Sequence, residues 1–324
     1  MNNDINYAAT GNEVLKARDT MMELVDSPDS AKISFLTEIH NRGETPAEIA
    51  GFAMALRELS SLNLNYPELT DVVGTGGDGK NTVNVSTGVS ILLASMGIKT
   101  AKHGNFGVTG HHGSADFMKY MNYNFKMDKN TIIENISRKN YVYILAPEYN
   151  KSFAKFSAAR KQISFRTVFN ILGPLTNPLN PARVVLGTYS EDLAELYAKV
   201  IKEEKKTGFI VHGSDGMDEI SPSSKSTLYR VDGHLDKITI DPEKLIGHSI
   251  NPEDISTTDS IKSFEMLLNG LSGKNKDVME FIAINALPAV ILNQKAESFE
   301  EAYDLSVDFI QSGKAIEKLK EVCR

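Results

Sequence analysis

Cysteine is almost missing from this 324-residue chain, in which Cys323 stands alone. A single thiol cannot form an internal disulfide, which fits a reducing compartment. Positive charge is also short: 35 Lys plus Arg against 42 Asp plus Glu leave a formal net charge of −7. That balance argues against a non-specific coat for nucleic acid, so no nucleic-acid partner is expected, although a local site can still take a phosphorylated small molecule. Long apolar runs are absent. The longest apolar-leaning stretch, Val83 to Ile98, is interrupted by Asn84, Ser86, Thr87, Ser90 and Ser95, so no membrane span is expected. The first twenty residues lack the charged start and apolar core of a signal peptide. Internal repeats and low-complexity linkers are missing too. With 41% hydrophobic and 24% charged residues, the composition is that of a globular protein, expected in the cytoplasm. At about 150 residues per domain, the length favours two domains.

The first sixty residues carry helical signals. Thr45-Pro46-Ala47-Glu48 combines an N-cap hydroxyl, a first-turn proline and a capping-box acid. Ile49, Phe52, Ala53, Leu56 and Leu59 follow at helical spacing, and Leu15, Met22 and Val25, then Ile33, Leu36 and Ile39, mark two earlier helices. A small helical bundle accounts for these stripes. From about Leu69 the texture changes to short β-rich runs: Asp71-Val72-Val73, Ile98 to Ala101, Tyr141 to Leu145, Val184 to Leu186 and Phe209 to Val211. Helix-like segments at Ser86 to Met96 and Glu191 to Glu204 lie between them, which predicts an α/β fold with a mainly parallel central sheet and surrounding helices. Residues 221–245 alternate in character and predict a small antiparallel excursion. The last eighty residues predict helices, with amphipathic stretches near 262–270 and 299–320.

Four constellations can carry chemistry. In residues 71–87, a short strand enters a loop holding Gly74, Gly76, Gly77 and Gly79, and Asn84-Val85-Ser86-Thr87 opens a helix. Glycines let main-chain N–H groups approach an anion, and a helix N-terminus favours phosphate. The pattern is neither a Walker loop nor a Rossmann fingerprint. Lys102-His103-Gly104-Asn105 ends the next strand and leads to Gly113-Ser114-Ala115-Asp116; here one cation, hydroxyls and glycines suit phosphate oxygens. His103, His111 and His112 have no Cys or acidic partner at ligand spacing, which disfavours a histidine metal site. Asp218-Glu219 follows a strand and a glycine-containing loop, where paired carboxylates can hold Mg²⁺; alone, such a pair is more often a solvated face. Arg160, with Lys161 and Arg166, precedes a Gly-Pro and Asn-Pro run ending at Pro178; alone, it is a solvated or paired helix arginine beside a rigid turn.

Taken in this order, Gly74-Thr75-Gly76-Gly77-Asp78-Gly79, Asn84 to Thr87, Lys102 to Asn105, Gly113 to Asp116, Arg166 to Asn170, Leu172 to Pro178 and Gly216 to Glu219 resemble the anthranilate phosphoribosyltransferases. Gly43 to Pro46 and Asn285-Ala286 extend the resemblance over nearly the whole chain. It implies a helical domain over residues 1–65, joined by helices around 152–178, an α/β phosphoribosyl-binding domain over 66–324, and a homodimer. The implied reaction moves the ribosyl phosphate of phosphoribosyl pyrophosphate (PRPP) to the amine of anthranilate with Mg²⁺. PRPP would meet Gly74, Gly77, Asp78, Thr82, Asn84, Val85, Ser86, Thr87, Lys102, His103, Gly104, Asn105 and Ser114. Ser86, Asp218 and Glu219 would hold magnesium, and Gly74, Asn105 and Arg160 would contact anthranilate. No general base is assigned, because an aromatic amine is already a nucleophile. The chain departs from the family pattern at Phe106, Gly107, Gly110, His111, His112 and Asn150. Alternatives are a phosphoribosyltransferase for another aromatic acceptor, a nucleoside-phosphorylase-like enzyme, disfavoured because Lys102-His103 is followed by Gly104-Asn105 and not by Ser, and a non-catalytic nucleic-acid-binding relative, disfavoured by the acidic net charge.

Overall fold

A computed structural model describes residues 7–62, 64–107 and 113–324. Three helices come first: α1 (Tyr7–Val25), α2 (Asp29–Arg42) and α3 (Pro46–Glu58). The capping box at Thr45 forms on both sides, with Glu48 N–H donating to Thr45 Oγ1 at 3.2 Å and Thr45 N–H to Glu48 Oε2 at 2.9 Å. Helix α1 differs from expectation in its face. Met21, Leu24 and Val25 are buried, whereas Leu15 is 47% exposed. The reason lies in α3, where Gly51 brings the two backbones together beside Ala17 and Arg18, turning the small Ala17 inward in place of Leu15.

The next elements alternate as the β-rich runs predict: β1 (Thr70–Gly74), α4 (Val85–Ser95), β2 (Thr100–Gly104), α5 (Ser114–Tyr120), α6 (Lys129–Lys139) and β3 (Tyr141–Leu145). Short helical turns follow at α7 (Ala146–Tyr149), 151–156, α8 (Ser157–Lys161), α9 (Phe169–Leu172) and 173–175. The sheet resumes with β4 (Arg183–Gly187), α10 (Glu191–Glu203), β5 (Thr207–Gly213) and the antiparallel pair β6 (Ser226–Asp232) and β7 (His234–Ile240). Helices close the chain: α11 (Pro242–Ile246), α12 (Ser260–Leu271), α13 (Lys276–Leu292), α14 (Phe299–Gln311) and α15 (Lys314–Val322).

The seven strands of the described residues run in the order β3-β2-β1-β4-β5-β6-β7, parallel except at β6 and β7. Helix α13 carries no amphipathic stripe, because it is buried almost throughout Val278–Val290 behind the sheet. A helix apolar all round shows no period for the sequence to reveal. On the other face, α1–α3, Phe156, Phe169 and Leu172 share a core with Val73, Val184, Ile210 and α10. The N-terminal helices are therefore packed against the sheet unit. Among the described residues, no helix is long and apolar enough to cross a membrane.

Candidate active site

The carboxyl ends of the parallel strands open into a cleft of about 570 Å³, within the range of small-molecule sites. Its near wall is the loop after β1. Gly76, Gly77 and Gly79 take φ of +66°, +82° and +72°, a conformation that side chains disfavour, so the chain folds tightly before α4. Asp218 reaches back to this loop and accepts the Gly76 N–H at 2.6 Å. Thr82 Oγ1 donates to Glu219 at 3.3 Å. Asn285 of α13 fixes the acidic turn from behind: its Oδ1 accepts the Ile220 N–H at 2.7 Å and its Nδ2 donates to the Ile220 carbonyl at 3.1 Å.

Asp218 and Glu219 are not a solvated face. Burial pushes both carboxyls up, Asp218 with added repulsion from Asp78, and Glu219 from Asp218 and then Asp78. Asp78 Oδ2 is itself buried with no hydrogen-bond partner. Crowded, dehydrated acids beside an open cleft fit a cation. Among the described residues no three His, Cys, Asp or Glu side chains converge to hold a metal unaided. Such a donor set suits Mg²⁺, which typically takes one or two protein carboxylates and completes its shell from water and substrate phosphates.

Across the cleft lie Lys102 and His103. Lys102 is buried, donates from Nζ to the Val72 carbonyl at 2.9 Å, and is pushed down to about 8 by burial against the pull of Asp71, Glu219 and Asp218. His103 is held neutral, pushed down to about 3 by burial and by the Lys102 charge. Its Nε2 lies 3.4 Å from Asn150 Nδ2, which also donates to the Thr176 carbonyl at 2.8 Å. Ser114 Oγ is hydrogen-bonded to the Tyr143 hydroxyl at 2.7 Å, and Asn84 Nδ2 donates to the Gly113 carbonyl at 3.4 Å. The described ends of the loop meet at Asp116, whose Oδ2 accepts the N–H of both Gly107 and Gly113 at 2.8 Å. Gly110, His111 and His112 lie outside the described residues.

Gly74, Gly77, Asp78, Thr82, Asn84, Ser86, Lys102, His103, Gly104, Asn105, Ser114, Asp218 and Glu219 thus line one cleft. Val85 and Thr87 do not: their side chains are buried in the core face of α4. Arg160 stands elsewhere, in a second cleft of about 450 Å³ with Lys161, Phe165, Arg166 and Asn170. Half-buried, it lies over the Phe169 ring at 5.5 Å, and no ion pair of the described residues engages it. Arg166 donates to Tyr189 just beyond β4, which places this cleft at the same end of the sheet.

Residues 66–316 match the family model described as "Glycosyl transferase family, a/b domain". The chain is 50% identical to the anthranilate phosphoribosyltransferase of Picrophilus torridus over 99% of its own length and 98% of the relative's. The chain belongs to the anthranilate phosphoribosyltransferase family. A second family member, from Thermoplasma acidophilum, is 37% identical over 93% of both chains. Among solved anthranilate phosphoribosyltransferases, that of Thermus thermophilus superposes with a TM-score of 0.87 at 26% identity, covering 97% of this chain and 98% of the other. The Saccharomyces cerevisiae enzyme, solved in complex with PRPP and Mg, superposes at 0.82 with 26% identity, covering 98% and 97%.

Two polar residues escape the sequence reading. Asp71 and Asn177 meet in the sheet beneath the cleft, 2.9 Å apart and 106 positions apart in sequence. The available signal is an aspartate inside a strand, next to Val72 and Val73, since Asp is depleted in strands.

Proposed function

We infer that this chain transfers the 5-phosphoribosyl group of PRPP to the amine of anthranilate, giving N-(5-phosphoribosyl)anthranilate and pyrophosphate in tryptophan biosynthesis. The observation that carries the reading is the crowding of Asp218 and Glu219 against Asp78 of the glycine loop in one cleft, with Lys102 and His103 opposite.

Losing pyrophosphate from an anomeric carbon builds positive charge on the ribose and negative charge on the leaving group. Catalysis is then largely positioning and charge stabilisation. Mg²⁺ bound at this site would neutralise the diphosphate, with Ser86, Asp218 and Glu219 as its protein ligands. In this proposal the loop from Gly74 to Asp78, Thr82 and the Asn84–Thr87 turn seat PRPP from one side. Lys102 to Asn105 and Ser114 seat it from the other. Val85 and Thr87 act there through the main chain, as their side chains are buried. Gly74 and Asn105 border the acceptor, and Arg160 faces its carboxylate, a role for which a planar guanidinium is suited. The neutral amine attacks the anomeric carbon as the bond to pyrophosphate breaks, and its surplus proton leaves afterwards; no residue is assigned to take it. The same reading divides the chain into a helical unit (1–65 with 152–178) and a phosphoribosyl-binding unit (66–324), and makes the working form a cytoplasmic homodimer.

Mixing the protein with anthranilate, PRPP and Mg²⁺ and following anthranilate fluorescence tests the reaction. The signal should fall only when all components are present. A constant signal at excess PRPP and Mg²⁺, from protein shown to be folded, overturns the reading.

A further inference from the structure

Strands β1 and β2 lie side by side at the centre of the sheet, yet they share a single register pair, Thr70 with Thr100. By contrast, β1 with β4 and β2 with β3 each run through five pairs. Beyond Thr100 the ladder is replaced by side chains. Asp71 Oδ1 accepts the His103 N–H at 3.1 Å, and Lys102 Nζ donates to the Val72 carbonyl at 2.9 Å. Asn177 Nδ2 donates both to the Ala101 carbonyl at 2.8 Å and to Asp71 Oδ2 at 2.9 Å. Buried main-chain groups must find partners, and here three polar side chains supply them where a neighbouring strand ordinarily would.

This opening lies directly under the cleft, since Val73, Gly74 and Lys102 to Asn105 line it. Asp71, Lys102 and Asn177 are each about 2% exposed or less. Asp71 is also the first of the opposite charges that support the buried Lys102 ammonium. A neutral side chain at position 71 would leave the His103 N–H, the Asn177 amide and Lys102 with an altered partner at once. Asn177 further ties the turn that ends the 151–178 segment to the sheet, its Oδ1 accepting the Leu179 N–H at 3.1 Å.

We propose that Asp71 is a positioning residue for the reaction: with Asn177 it holds β1 and β2 apart and fixes Lys102 and His103 where PRPP is bound. Asp71 acts through these neighbours and touches no substrate. The inference rests on the reading that PRPP occupies this cleft, so wild-type protein is titrated first with PRPP and Mg²⁺ by calorimetry. Absence of binding there would sink that reading, and this inference with it. With wild-type binding in hand, Asp71→Asn is compared. It keeps the volume and one acceptor but loses the charge and presents a donor to the Asn177 amide. The affinity for PRPP with Mg²⁺ should fall tenfold or more and the KM for PRPP rise in step, while the KM for anthranilate stays within twofold. A melting temperature that drops with PRPP affinity unchanged, or an equal loss for both substrates, shows a purely structural role and overturns the proposal. Should Asp71→Asn fail to fold, Asn177→Ser carries the test, because its short hydroxyl cannot span Asp71 and the Ala101 carbonyl. The same PRPP-selective loss is expected of it, and its absence overturns the proposal.

Discussion

Asp218 and Glu219 sit where the folded protein prefers them protonated, so their charge opposes folding until a cation arrives. A carboxyl whose value is raised by folding contributes stability that is complete below its unfolded value and lost as pH rises through its folded value. For Asp218 that window runs from the ordinary carboxylate range to about 7. Ligand-free protein should therefore melt at progressively lower temperature across this interval. Asp218→Asn with Glu219→Gln should flatten the dependence and raise the melting temperature at pH 8, as differential scanning fluorimetry would record. The same double variant should lose activity by about a hundredfold or more, close to 2.7 kcal/mol of barrier. Full activity across a magnesium titration would remove the pair from the metal site. Arg160 gives a second residue-scale test. With no acidic partner among the described residues, it is free to meet a carboxylate. Arg160→Ala should raise the KM for anthranilate about tenfold or more, the loss of a charge-assisted pair, and leave that for PRPP nearly unchanged. Equal effects in steady-state kinetics would make Arg160 structural.

At the scale of elements, the contact between α1 and α3 depends on position 51. A Cβ there would meet Ala17 Cβ at 2.6 Å and Arg18 N at 2.8 Å, and would also run into the Val14 carbonyl. Alanine gains about 1 kcal/mol of helix propensity over glycine, whereas overpacking costs about 1–3 kcal/mol. Because two of the three obstacles are backbone, the loss should win. Gly51→Ala should lower stability by up to about 2 kcal/mol, read as a lower urea midpoint at constant slope. Close backbone approach of this kind leaves no periodic signal, which is why the apolar spacing misplaces Leu15 on the buried side of α1. Strands β1, β4 and β5 are legible because each holds a short apolar run and ends at a glycine, and β3 because its apolar run stops just before Pro147. Strand β2 is legible only in part: its run begins at Ile98, but the pairing starts at Thr100 and continues into the polar Lys102 and His103. The glycine loop and the acidic pair can be located from sequence because their residues are local. Asp71 with Asn177 cannot, because their partnership is made only when distant segments fold together.

Across the whole molecule, one buried group of charges joins the helical layer to the sheet. Arg57 of α3 donates to the Leu175 carbonyl at 2.6 Å and pairs with Glu204 at 2.7 Å, while Lys206 meets the other Glu204 oxygen at 2.9 Å. The charges of Arg57 and Lys206 hold the Glu204 carboxyl below its usual range despite burial. Its contribution is thus present at neutral pH and lost as pH falls through the depressed folded value. Glu204→Gln leaves two buried cations without their anion and should cost about 3–5 kcal/mol. Chemical denaturation at pH 7 would show the loss, and the variant's stability should vary less on the acid side. The fit between the layers extends to the strand ends. Gly187, opposite Gly74 in the sheet, lies so close to the main chain of Asp218 that a Cβ would overlap its carbonyl oxygen. In a saturation-mutagenesis map, position 187 would therefore score as intolerant as the acids themselves. Intolerance there would report the room the acidic turn requires, and a map read without coordinates would count a spacer among the chemical groups.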